Sequence, residues 1–175
     1  MTEQNNVFLA DEFQTESSNL LDQAMIKLEN CFEQLSEQQV WWRPQDNLNS
    51  IGNLVLHSCG NLRQWAIASL TNQSDDRQRD KEFSANGDYT KGELLALART
   101  TVDSAKSVIA AAGEKQLATL YEIQGFSVTG LNAILHTTSH FVGHTHQVIM
   151  LTRIQLGDSY QFAWSPDQGR DHLPI

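Results

Sequence analysis

The chain has 175 residues, 40% of them hydrophobic, with 12 basic and 21 acidic side chains and a net charge of −9. This length suits one domain, 1–175, with enough apolar material for a sizeable core. The acidic balance argues against nucleic-acid binding, which depends on neutralising phosphates with Lys and Arg. No apolar run approaches the ~20 residues of a membrane span. The opening Met-Thr-Glu-Gln-Asn-Asn has neither the basic start nor the apolar stretch of a secretory signal, so a cytoplasmic protein is expected.

Only three prolines and ten glycines interrupt the chain, which favours an all-α fold. A first helix is predicted at about 7–35. Phe8, Leu9, Phe13, Leu20, Leu21, Ala24, Leu28, Cys31, Phe32 and Leu35 recur there at three- and four-residue steps, as one buried stripe requires. Ser36 and Gln39 form a capping box that opens one short turn, and Trp41-Trp42-Arg43-Pro44 breaks helicity. Asn49 or Ser50 caps a second helix, about 50–70, with Ile51, Leu54, Val55, Leu62 and Trp65 as its apolar stripe.

The polar stretch from Thr71 to Asp88 reads as a long ordered loop. Thr90 with Glu93 opens a third helix, about 90–112, that Gly113 ends. Leu117 to Phe126 reads as extended or as a short hairpin. Thr129 caps a fourth helix, about 129–156, closed by Gly157. The tail, 157–175, is expected to be irregular, with Trp164 packing part of it onto the rest. Four long amphipathic helices imply a four-helix bundle.

Cys31 and Cys59 have no disulfide or zinc-finger pattern and read as buried or half-buried reduced thiols. The histidines are more informative. His136, His140 and His144 stand four apart, with Cβ atoms ~6 Å from one to the next along one helix face. Continuing their line reaches Val148 and Leu151, so the row is expected to look inward. His146 lies about 200° round from His144 and reads as a surface residue, as does His172 in the tail.

His57 sits on the flank of the second helix with Asn61 and Gln64. A lone histidine there is ordinarily a hydrogen-bonded polar residue. A row of buried imidazoles, each needing partners, is harder to explain that way. Two histidines at i and i+4 can chelate one divalent ion, and a third from another helix would leave positions open for water or substrate. His140-Phe141-Val142-Gly143-His144 lacks the glutamate that a zinc peptidase carries directly after its first histidine. No Ser-His-Asp arrangement, phosphate loop or dinucleotide fingerprint is visible.

Ser50-Ile51-Gly52-Asn53-Leu54-Val55-Leu56-His57 and Gly60-Asn61-Leu62-Arg63-Gln64-Trp65 resemble the second-helix signature of the DinB-like family. More narrowly, they resemble a bacterial branch of it, together with Trp42-Arg43-Pro44 and the charged segment Arg77-Gln78-Arg79-Asp80-Lys81-Glu82-Phe83. Its last helix corresponds to Leu135-His136, His140-Phe141 and Gly143-His144-Thr145-His146-Gln147. The resemblance implies an up-down-down-up four-helix bundle, paired into homodimers, with one divalent ion (zinc, nickel, iron or manganese) on His57, His140 and His144. His136 is then expected to line or back the pocket, with Asn61, Trp42 and Arg43 beside it.

Family members commonly carry glycine where this chain has His146, a position that points outward and leaves the site intact. The implied activity is metal-dependent transfer or hydrolysis on a small-molecule substrate. A low-molecular-weight thiol such as bacillithiol, mycothiol or glutathione is the implied cosubstrate. Arg43, Arg77 and Arg79 are candidates for holding its carboxylate, against a plainer role as surface ion pairs or caps. Trp41, Trp42 and Trp65 read first as core packing. The alternative function is a metal-binding protein without turnover, acting in stress response or as a dimeric interaction module.

Overall fold

The computed structural model describes residues 2–164, so His172 and the end of the tail lie outside the described residues. The chain runs α1 (Thr2–Gln34), α2 (Glu37–Trp41), α3 (Ile51–Leu62), a π-helical segment (Arg63–Ala68) and α4 (Ser69–Thr71). It continues with α5 (Arg79–Ser84), α6 (Lys91–Ala111), α7 (Glu114–Ala118), β1 (Leu120–Ile123), β2 (Phe126–Thr129) and α8 (Gly130–Leu156). Four long elements dominate: α1, α3 with its π continuation, α6 and α8. Both α1 and α3 pack against α6 and α8, so α1 and α3 stand diagonally across a four-helix bundle. Among the described residues no helix is long and apolar enough to cross a membrane.

The helix starts follow local chemistry. Ser36, Ser50 and Thr90 each accept a hydrogen bond from the backbone N–H three residues on, and the side-chain oxygen found there accepts one from the cap's own backbone N–H. Thr129 caps α8 by accepting from Asn132 N–H. Gly157, at φ 55°, closes that helix in the left-handed region that favours glycine.

The core is continuous from Leu21, Leu28 and Phe32 on α1 through Ile51, Leu54 and Leu62 on α3 to Leu94, Val102, Phe141 and Val148 on α6 and α8. Cys31 and Cys59 are buried free thiols within it. Burial pushes the Cys59 thiol up to about 12, so it carries no nucleophilic thiolate.

Several expectations are corrected. α1 begins at Thr2 rather than near Val7, and Phe8, Leu9 and Leu20 are exposed rather than part of the buried stripe. The segment read as one loop between Thr71 and Asp88 contains α5. Gly113 does not simply end α6: it is the N-cap of α7, which takes Leu117 away from the extended segment. The hairpin is real but shifted, with Leu120 opposite Thr129 and Ile123 opposite Phe126. Its two-residue turn, Gln124-Gly125, has φ of 54° and 82°, the double positive φ of a type I′ turn. Trp164 is half-buried.

The second long helix is also not uniformly α. In its π-helical segment each N–H reaches back five residues, and Ser69 Oγ donates to the Gln64 carbonyl at 2.8 Å. Such wide turns re-aim side chains and recur at functional sites. Here the segment carries Gln64 and Trp65.

Candidate metal centre

Three helical imidazoles meet where α3 faces α8. His57 is buried, while His140 and His144 are half-buried. Ring centroids lie 4.9 Å apart for His57–His140, 5.1 Å for His57–His144 and 4.4 Å for His140–His144. One ligand atom from each falls within 4.8 Å of the others. Because α3 is buried along Ile51–Cys59 between α6, α8 and α5, its His57 is delivered to the α8 pair without freedom to swing away.

The nitrogens are arranged for coordination. His57 Nδ1 lies 2.9 Å from Glu82 Oε2. Arg77 Nη2 is also 3.1 Å from that nitrogen, but it has Glu82 Oε2 at 2.8 Å and the His57 carbonyl at 3.3 Å for its two hydrogens. The Nδ1 proton therefore goes to the carboxylate, and Nε2 is left as a bare lone pair. His144 Nδ1 is 3.1 Å from Gln147 Oε1, which fixes that ring in the same tautomer. His57 Nε2 and His140 Nε2 are 3.2 Å apart. Two nitrogens bound ~2.0–2.1 Å from a tetrahedral zinc would stand ~3.3 Å apart, so the spacing fits a shared ion. His140 Nδ1 is buried with no hydrogen-bond partner among the described residues, and an ion on Nε2 would not supply one.

Electrostatics points the same way. His140 is pushed down to about 3 by burial first, then by the neighbouring His144, His57, His136 and Arg77. Burial also lowers His136 and His144. Neutral imidazole is the ligating form. For Glu82, burial raises the carboxyl, but hydrogen bonds from Arg77 and His57 and their charges outweigh it and hold it below the usual range.

Glu82 is the functional residue that sequence reasoning missed. It sits on α5, 25 positions from His57. A carboxylate behind a ligating histidine fixes its tautomer and raises its basicity. Arg77 holds that carboxylate through Nε at 2.7 Å to Oε1, and its side chain is only 5% exposed. It is a buried anchor rather than a surface pair. Gly60 makes room: a Cβ there would stand 2.1 Å from Glu82 Oε1 and 2.8 Å from Arg77 Nε. Asn53 secures the segment, since its buried Nδ2 donates to the carbonyls of Glu82 (2.8 Å), Phe83 (3.3 Å) and Ala85 (2.9 Å).

A cleft of about 400 Å³ opens beside His57 and His140. Asn61 and His136 line it together with Trp65, Phe126 and Val128. Asn61 Oδ1 accepts from Thr137 Oγ1 at 2.8 Å, tying α3 to α8, and the His136 ring stacks 4.0 Å from Trp65. Trp65 thus combines packing with a place in the cleft wall. Trp42 and Arg43 do not line it. Trp42 is exposed, and Arg43 is committed to the carbonyls of Leu48, Phe83 and Ala85, where it braces the α5 segment from behind. Trp41 lies against Gly52, where a Cβ would stand 2.7 Å from its ring. His146 is exposed, as its helical phase requires.

The family model described as "Protein of unknown function (DUF1572)" matches residues 9–167. The chain belongs to this family. Among solved structures it is similar to a DinB-like protein, YjoA, from Bacillus subtilis (TM-score 0.63, 19% identity, 86% of this chain and 97% of that one). A conserved protein from Enterococcus faecalis matches with a TM-score of 0.70 and 18% identity, over 82% of this chain and 97% of that one. A DinB-like protein from Bacillus cereus matches with a TM-score of 0.59 and 11% identity, over 78% and 90%. No curated protein matches. At these identities the likeness establishes a DinB-like fold and nothing about chemistry.

Proposed function

We propose that the protein holds one divalent ion (zinc, nickel, iron or manganese) on His57, His140 and His144 and acts as a metal-dependent transferase or hydrolase on a small molecule. The observation that carries this reading is the convergence of the three rings, with the Glu82 carboxylate on His57 Nδ1. Bound by neutral ligands, such an ion keeps its full charge and can lower the pKa of a bound water towards ~7 or stabilise a thiolate. Three protein ligands suit a catalytic rather than a closed structural site.

The surrounding residues have definable tasks. Glu82 keeps the His57 proton on Nδ1, and Arg77 keeps Glu82 ionised. Gln147 orients His144. Trp65, Phe126 and Val128 give the substrate an apolar wall beside the histidines. A low-molecular-weight thiol cosubstrate belongs to the proposal through the DinB-like resemblance. A reducing cytoplasm belongs to it through the free thiols of Cys31 and Cys59. Homodimers belong to it through the exposed Leu131, Leu135, Met150 and Ile154 on α8.

Metal content by mass spectrometry on protein purified without a histidine tag comes first, followed by thiol–electrophile conjugation with and without chelator. Stoichiometric metal with chelator-sensitive, thiol-dependent turnover is expected. Absence of stoichiometric metal overturns the whole reading. Tight metal without turnover across a broad panel overturns the enzyme and leaves a metal-binding protein.

A further inference from the structure

The cleft beside the triad is at odds in charge with the chain that builds it. The sequence carries 21 acidic residues and a net charge of −9, yet among the described residues no aspartate or glutamate lines this cleft. Its formally charged lining residues are Arg77 and Arg79. The depression on the other side of the Arg77–Glu82 pair is mixed in charge, with Asp75, Asp76, Glu82 and Glu93 beside Arg63, Arg77 and Lys81 in its lining.

The two arginines are not equivalent. Arg77 is spent on Glu82, which it meets with Nε and Nη2. Arg79 has no carboxylate partner among the described residues. Its guanidinium instead lies over the Phe83 ring, 4.9 Å from the centroid, and Phe83 in turn packs 4.7 Å from the His57 ring. A cation over an aromatic face is held in place while its N–H groups stay available in the ring plane. One exposed positive charge with no ion pair among the described residues thus stands one ring away from the histidines. The Trp65 indole N–H, buried in the same wall, also lacks an acceptor among the described residues.

We infer that this cleft takes an organic anion, with its carboxylate on Arg79 and its apolar body against Trp65, Phe126 and Val128. Asn61, Gln124 and Asn132 also line the cleft; Asn61 Oδ1 and Gln124 Nε2 are engaged with Thr137 and Gln64, which leaves the Asn61 amide nitrogen, the Gln124 amide oxygen and Asn132 to face its other polar groups. The inference rests on the proposed function only for what happens at the histidines; selection of the anion belongs to Arg79. A guanidinium–carboxylate contact is charge-assisted and bidentate, and an uncharged isostere forfeits it, which corresponds to about tenfold or more in affinity.

The test is calorimetric titration of untagged full-length protein, chelator-treated and zinc-loaded, with 3-phenylpropionate and with 3-phenylpropionamide. The acid is expected to bind at least about tenfold tighter than the amide in both metal states. Arg79→Gln should bring the two within about twofold, and Arg79→Lys should restore part of the gap. Equal binding of acid and amide to the unaltered protein, survival of the preference in Arg79→Gln, or no measurable binding of either ligand overturns the inference. Zinc titration of the same preparations separates the two readings. An Arg79-dependent preference in a protein that binds no zinc would sink the metal centre alone; zinc binding without the preference would sink the anion site alone.

Discussion

Replacing Glu82 by glutamine probes the centre where its geometry is most explicit. The carboxylate Oε2 lies 2.9 Å from His57 Nδ1, and the pair is buried, with side chains 9% and 11% exposed. A neutral amide can still accept from Nδ1–H, so the tautomer survives. What is lost is the negative charge that makes the imidazole a stronger ligand. Partners of this kind contribute about 10- to 100-fold to metal affinity, or about 1.4–2.7 kcal/mol. Because Arg77 already neutralises part of the Glu82 charge, the lower half of that range is expected, about 10- to 30-fold weaker zinc binding.

Competition against a chromogenic chelator at neutral pH reads that change directly. Urea unfolding of the metal-free protein supplies the control. Glu82→Ala strands the buried Arg77 guanidinium and should cost about 3–5 kcal/mol of stability, whereas Glu82→Gln should cost less. Zinc affinity within twofold of the unaltered protein, in a Glu82→Gln variant that remains folded, would refute the role assigned to the carboxylate.

His57→Ala and His140→Ala should each abolish stoichiometric zinc by mass spectrometry, while His146→Ala, on the exposed face of the same α8, should leave it intact. Gly60→Ala should gain about 0.5–1 kcal/mol of helix propensity yet destabilise overall, because its Cβ would stand 2.1 Å from Glu82 Oε1. A net loss of about 1–3 kcal/mol in urea unfolding, with weaker zinc binding, is expected. Acid should unfold the metal-free protein through a defined window. An unfolded histidine takes up its proton near ~6.5, whereas folded His140 resists until about 3. The unfolded state therefore binds more protons between these values, so stability is fullest above the upper one and declines towards the lower. Urea midpoints measured from pH 7 to 4 should fall steadily, and less steeply in His140→Ala.

What could be read from the sequence was what is encoded over short distances. The caps at Ser36, Ser50, Thr90 and Thr129 lie within four residues of their partners, so the starts of α2, α3, α6 and α8 were all visible. The α8 histidines were legible for the same reason, since their spacing equals a helical turn. α5 was not. Its N-cap, Gln78, makes no side-chain capping bond, and its residues are mostly polar. Tertiary hydrogen bonds from Asn53 and Arg43 hold it rather than any stripe of its own. Glu82 was hidden with it. The π-helical segment escaped because one wide turn barely disturbs apolar periodicity, although it helps to decide where Trp65 stands. The bracing role of Arg43 was not legible, since nothing local reveals that the distant Phe83 and Ala85 carbonyls claim its guanidinium.

Asn53 has a dynamic consequence. Its amide is wholly buried; its oxygen accepts from Ser50 N–H and Oγ, while its nitrogen serves the 82–85 carbonyls. A single uncharged side chain thereby joins the beginning of α3 to the strip of chain that carries the carboxylate. Ionic strength cannot loosen this joint as it would a surface ion pair. Native-state hydrogen exchange should therefore find these two stretches, some thirty positions apart in sequence, opening as one cooperative unit.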